Sequence, residues 1–241
     1  MTILFLGILN ITMFNACKKE TATPELHTDS ITDIDGNIYQ TVKIGNQWWM
    51  AENLHVKRYN NGDSIIYIHS GDTAKWNKTI SGAYTDGKTG LFYNGYIIND
   101  VRDLAPTGWH IPNDDEWKQL EIYLGMNRDT ANKVNWRGNK EGNKLKKQRK
   151  ADKNIIWYEE EAVNKFEVWG NNESGFSALP GGFINFDGKR IETDAMTLGF
   201  WWSSTQIENQ LWYRYLDYSK TNVFRYYGPK TYGFNVRCVK N

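Results

Sequence analysis

Residues 31–53 read ITDIDGNIYQTVKIGNQWWMAEN, three short strand-like runs separated by two turn signals. Asp35-Gly36-Asn37 forms the first signal and Gly45-Asn46 the second. Each puts Gly or Asn where a tight hairpin needs positive φ, so the stretch predicts a three-stranded antiparallel meander. In the middle strand Ile38, Val42 and Ile44 share a face with Gln40, while Tyr39, Thr41 and Lys43 share the other. That alternation predicts one packed face and one wet face.

The far end of the chain has the same character. Residues 200–203, 211–217, 223–227 and 232–239 read as strands, with polar turns at 206–209, 219–221 and 228–230, and this spacing predicts four antiparallel strands. In the last of them Phe234, Val236 and Cys238 alternate with Asn235 and Arg237. Between the two strand regions lies a helix signal. Asn113 can cap a helix and Glu116 can answer it three residues on, while Asp114 and Asp115 suit the positive end of the helix dipole. Trp117, Leu120 and Leu124 then recur at helical spacing, which predicts a helix from about Asp114 to Leu124. The basic run of Lys144, Lys146, Lys147, Arg149, Lys150 and Lys153, followed by Glu159 to Glu161, reads as a solvated loop.

The chain of 241 residues is long enough for a sizeable core, and no Pro- or Ser-rich linker divides it. Its 29 basic and 28 acidic side chains nearly cancel, which argues against binding to nucleic acid or to an anionic membrane surface. The first sixteen residues, MTILFLGILNITMFNA, form an apolar run too short for a spanning helix, and they read as a signal peptide. Ala16 then sits before Cys17 as a small residue does in a lipobox, so Cys17 is the expected lipidation site. No Lys or Arg precedes the apolar run. Residues 17–29 read as a flexible tether and 30–241 as one domain, with the membrane reached through the lipid.

Six ordered stretches carry a family resemblance. They are DIDGNIYQTVKIGNQWWMAENL from Asp33, GLFYNGY from Gly90, APTGWHIPNDDEW from Ala105, ESGFSALPGG from Glu173, WWSST from Trp201 and YGFNVRCVK from Tyr232. In them the chain resembles the Fibrobacter succinogenes major paralogous domain, which recurs in predicted lipoproteins of Bacteroidetes and Fibrobacter. The resemblance implies similarity to the C-type-lectin-like fold and to sulfatase-modifying factors. It would make the chain an α+β protein with twisted antiparallel sheets, one or two short helices and long loops, its N- and C-terminal strands paired. Many relatives have a Cys where Ala105 stands, one that would pair with the counterpart of Cys238. Lacking it, this chain is expected to bury Cys238 as an inert thiol.

No reactive constellation is legible. His27, His55, His69 and His110 are scattered, there is no His-x-x-x-His or Cys-x-x-Cys pair, and neither a nucleophile elbow nor a phosphate loop occurs. No resident cofactor is expected, although Asp86, Asp100, Asp103 and Asp187 are oxygen ligands from which loops can assemble a calcium site. Trp201, Trp202, Trp212 and a series of Tyr residues crowd the C-terminal strands. The Trp rings are expected mainly in the core. Tyr213, Arg214, Tyr215, Tyr218, Arg225, Tyr226 and Tyr227 are the expected ligand face, because rigid aromatics bind at low entropic cost. The leading expectation is a non-catalytic binding or adhesion lipoprotein of the cell envelope, outer membrane rather than cytoplasm, with a glycan or protein ligand. The alternatives are an enzyme on polysaccharide or a protein modification, which a His held by an acidic partner or two facing carboxylates in a cleft would favour, and a self-associating structural envelope protein.

Overall fold

The computed structural model describes residues 26–69, 72–76, 82–85, 90–147, 170–191 and 197–241. In chain order the elements are β1 (Thr28–Thr32), β2 (Ile38–Ile44), β3 (Gln47–Met50), β4 (Ile66–His69), α1 (Thr73–Trp76), β5 (Gly82–Thr85), β6 (Leu91–Asn94), β7 (Trp109–His110), α2 (Asp114–Tyr123), α3 (Arg128–Ala131), β8 (Asn135–Arg137) and α4 (Glu141–Leu145). They continue with β9 (Phe183–Ile184), β10 (Arg190–Ile191), β11 (Leu198–Ile207), β12 (Gln210–Asp217), β13 (Val223–Pro229), β14 (Gly233–Phe234) and β15 (Val239–Lys240). The protein is mostly β-sheet with a few short helices, in the α+β manner.

The N-terminal meander forms as its turns dictate. Gly36 and Gly45 adopt φ of +85° and +62°, and β1, β2 and β3 pair antiparallel around them. β1 starts at Thr28, inside the stretch that the sequence reads as tether. The first sheet runs β1-β2-β3-β15-β7, so the C-terminal strand β15 pairs with β3 of the N-terminal meander. A second sheet runs β10-β9-β14-β6-β5-β4, antiparallel except for the β4–β5 pair, and a third runs β11-β12-β13-β8.

Two large aromatic-rich cores and a small cluster of Ile68, Trp76, Phe92 and Ile184 hold these sheets together. The larger gathers Tyr39, Met50, Tyr93, Phe200, Trp202, Phe234, Val236 and Cys238; the second gathers Val42, Ile44, Trp49, Trp117, Leu120, Phe176 and Trp201. β2 serves both, and this overturns the reading of one packed and one wet face. Tyr39 points into the first core and Val42 and Ile44 into the second, while Ile38, assigned to the packed face, is 64% exposed. Thr41 is buried too. In the second core the Trp49 and Trp117 rings lie 4.9 Å apart, and Phe176 packs edge-on against Trp49 and Trp201. Such tilted contacts suit the quadrupoles of the rings.

The C-terminal strands depart from expectation in one respect. β11, β12 and β13 form the expected hairpins, but the fourth place in their sheet goes to β8. Residues 232–239 instead cross between the other two sheets, with Phe234 in β14 pairing to Tyr93 and Val239 in β15 pairing to Trp49. The alternation read in this segment holds, yet both of its sides are buried: Asn235 and Arg237 are as enclosed as Phe234, Val236 and Cys238. Cys238 is a free, buried thiol, and burial pushes its pKa well above the ordinary thiol value.

Candidate functional site

Helix α2 organises the third sheet. Asn113 accepts the Glu116 N–H at 2.9 Å, and the Glu116 carboxylate accepts the Asn113 N–H at 2.8 Å, which completes the capping box. One turn of this helix also carries Asp114, buried, and Glu121 lies fully buried two turns on. Asp114 accepts Arg225 Nε at 2.9 Å and Nη2 at 2.7 Å, and Arg214 Nη1 at 2.9 Å. Glu121 accepts Arg214 Nε and Arg137 Nη2, each at 2.6 Å. Burial alone would raise the Asp114 carboxyl, but Arg225 and Arg214 hold it well below the usual carboxylate range. This network corrects the placement of Arg214 and Arg225 on a ligand face. Both are buried, at 1% and 6% exposure, and both fasten the inner side of the sheet to α2. Arg225 also covers Trp212, its guanidinium 3.7 Å from the ring centre.

The outer side of the same sheet is different. Register pairs Trp202 with Tyr213 and Tyr213 with Tyr226, and in the next row Phe200 with Tyr215, Tyr215 with Phe224 and Phe224 with Trp136. Phe200 and Trp202 are buried against the first core, whereas Tyr213, Tyr215, Phe224, Tyr226 and Trp136 are half-buried. Their rings touch in a continuous band. Trp136 lies 5.0 Å from Tyr215 and 5.2 Å from Phe224, and Phe224 lies 6.0 Å from Tyr226. Phe200 stacks under Tyr215 at 4.4 Å with planes 2° apart, and Tyr226 stacks on Tyr227 at 4.6 Å with planes 9° apart.

Among the described residues, Asp217 is the one carboxylate hydrogen-bonded to these rings, through Tyr215. Burial raises the Tyr213 phenol to about 12, helped by Tyr232 and Tyr226. Burial, with a 2.5 Å hydrogen bond to Asp217, raises that of Tyr215 further. Both phenols therefore remain protonated donors at neutral pH. Of the seven residues read as a ligand face, the structure brings Tyr213, Tyr215 and Tyr226 together on the outer side. Tyr227 reaches them from the opposite side through its stack on Tyr226 and also packs on Trp212. Tyr218 sits beyond the end of β12 against the second core. Trp136 and Phe224 were missed. Phe224 follows from strand alternation once Tyr226 is placed, but Trp136 has no local signal because β8 is three residues long and joins the sheet from a distant part of the chain.

Two other arrangements bear on chemistry. His110 contacts Glu116 Oε1 through Nε2 at 2.7 Å and Asn241 Oδ1 through Nδ1 at 2.5 Å, so the sought pairing of a His with an acidic partner is present. Both ring nitrogens are engaged, however, and the other Glu116 oxygen holds the helix cap, so no free lone pair faces a substrate. The carboxylates of Asp114 and Glu121 share Arg214 inside the core, closed off from solvent. As for the suggested calcium ligands, Asp100 is forked onto Arg102 at 2.9 and 2.7 Å, Asp103 accepts the Ala105 N–H and Asp187 accepts the Lys189 N–H. Asp86 and Cys17 lie outside the described residues. Among the described residues no three His, Cys, Asp or Glu side chains come together as metal ligands.

The aromatic cores, the C-terminal strand closing onto the N-terminal meander and the three sheets define a mostly β protein with a few short helices. The chain belongs to the Fibrobacter succinogenes major domain family, whose family model matches residues 42–240. No curated protein and no solved structure matches it.

Proposed function

We propose that the chain is a cell-envelope lipoprotein whose domain, C-type-lectin-like in plan, binds a glycan without catalysis through the outer face of the third sheet. The observation that carries this reading is the half-buried band of Trp136, Tyr213, Tyr215, Phe224 and Tyr226. Flat rings offer apolar area to the C–H faces of sugars, and they lose little side-chain entropy on binding. The Tyr213 and Tyr226 hydroxyls add donors, the Tyr215 hydroxyl being held by Asp217, and the arginines of the sheet are turned inward.

The test is a glycan array with the purified protein, its Tyr226→Ala variant and its Trp136→Ala variant, each checked for native circular dichroism. Binding should fall at least tenfold in both variants. A silent array with the folded wild-type protein would defeat the glycan reading and direct the search to a protein ligand on the same rings.

A further inference from the structure

A cavity of about 190 Å³ opens beyond β3, lined in part by Glu52, Asn53, His55, Gly90, Lys147 and Leu179. At about 30 Å³ per water this is room for roughly six waters. It is smaller than a drug-sized pocket, roughly 300 Å³ or more, and suits one compact polar unit. Gly90 keeps it open: its φ is +95°, and a Cβ there would stand 2.9 Å from Asn53 Cβ. Leu179 supplies an apolar wall.

The charges around the cavity do not balance. Glu52 already accepts the Gln40 N–H at 2.6 Å. Lys147 is exposed, its main-chain N–H is bound to the Ala178 carbonyl, and its ammonium has no partner among the described residues. Asn53 is buried, and its Oδ1 accepts Trp201 Nε1 at 2.9 Å and Arg237 Nε at 3.0 Å. Arg237 is completely buried. Its remaining donors go to the carbonyls of Met50, Phe176 and Ser177, so it rests on neutral oxygens and makes no ion pair among the described residues. Burial pulls the guanidinium down to about 9, with Glu52 offsetting this in part, so it stays charged at neutral pH. No carboxylate among the described residues touches it, so its charge is offset only by the more distant Glu52 and is little screened by solvent.

The geometry points to a binding site for one small carboxylate on a polyhydroxylated ring, a hexuronic acid unit, in this cavity. Its carboxylate meets Lys147 and the field of Arg237, its hydroxyls meet the free oxygen of Glu52 and the ring of His55, and its C–H edge packs on Leu179. An amino acid such as alanine has no ring hydroxyls to reach Glu52 and His55 together, and its ammonium stands against the charge of Lys147. The site is separate from the aromatic face.

Calorimetric titration at low salt with D-glucuronate, D-glucose and L-alanine tests this directly. Glucuronate should bind saturably, glucose and alanine at least tenfold more weakly. Lys147→Met, a substitution at an exposed residue, should weaken glucuronate tenfold or more, and Leu179→Trp should abolish binding by filling the space. Tyr226→Ala should leave it unchanged. The proposal is overturned by no saturable glucuronate binding to the folded protein, by Lys147→Met binding as well as wild type, by alanine matching glucuronate, or by loss in Tyr226→Ala, which would move the carboxylate to the aromatic face. A silent glycan array beside intact glucuronate binding would sink only the aromatic-face reading.

Discussion

Lys146 closes helix α4 with its ammonium inside the protein, donating to the Lys220 carbonyl at 2.6 Å. Gly170 presses against it so closely that a Cβ on that glycine would lie 2.5 Å from Lys146 Cβ. Burial pulls the amine down to about 7, and Asp217 opposes this only in part. Between pH 7 and the ordinary lysine value of 10.5 the unfolded chain therefore holds a proton that the folded one has released. Stability then rises with pH across that window, and the unfavourable contribution is fully present below it. Lys146→Met should be more stable than wild type at pH 6, by about 5 kcal/mol at most. The gap should close toward pH 10.5. Urea midpoints of the two proteins at pH 6, 8 and 10 measure this, and a gap that does not change with pH would refute it. The sequence reads Lys146 as part of a solvated run because its neighbours are basic. Nothing within that run reveals that Gly170 and Lys220 fold over it, and Arg214 and Arg225 were misplaced for the same reason: their partners lie about 100 residues away on α2.

At the scale of the element, α2 was the most legible part of the chain. Its cap, its start and its apolar stripe are all local, and the structure keeps each of them. What the local pattern hides is the second use of Asp114, which reads as a favourable charge at the helix start and serves as the anion between two guanidinium groups. Those arginines leave β12 and β13, so Asp114 fastens the helix to the third sheet and fixes which side of it faces outward. Asp114→Asn keeps the shape but leaves Arg225 on the Asn132 and Lys133 carbonyls and Arg214 with Glu121 as its one carboxylate. Removing one partner of a buried pair typically costs about 3–5 kcal/mol, and urea unfolding at pH 7 should show a loss of that size. The depressed Asp114 carboxyl contributes stability that is present above the unfolded value of 3.8 and lost as pH falls below it. Its folded value lies well below 3.8, so most of that contribution survives at pH 3, and the gap there should be narrower than at pH 7 by roughly 1 kcal/mol. An equal gap at pH 3 and pH 7 would show that the carboxylate charge is not what matters.

For the whole molecule, the aromatic face stands at one end of a chain of non-local pairings. Residues 232–239 carry a legible alternation, but alternation names neither partner, and here one strand-like run is divided between two sheets. A sequence window cannot show that Val239 reaches Trp49 or that Trp136 completes a sheet with residues 198–229, since those choices are made by the cores that the segments bury together. The proposed anchor at Cys17 precedes this closure in the chain. β1 is the edge strand of the first sheet, and the stretch from Cys17 to Thr28 spans at most about 35–40 Å when fully extended. A diacylglyceryl group on Cys17 would thus hold the domain within that reach of a bilayer while contributing nothing to the sheet ladders. One acyl chain gives only marginal membrane binding and two give stable anchoring, so loss of the thiol should matter entirely. Cys17→Ser should move the protein from the membrane pellet to the soluble fraction while its melting temperature and its ligand binding stay as in wild type. Retention in the pellet would refute the anchor, and a changed melting temperature would show that residues ahead of Leu26 contribute to the fold.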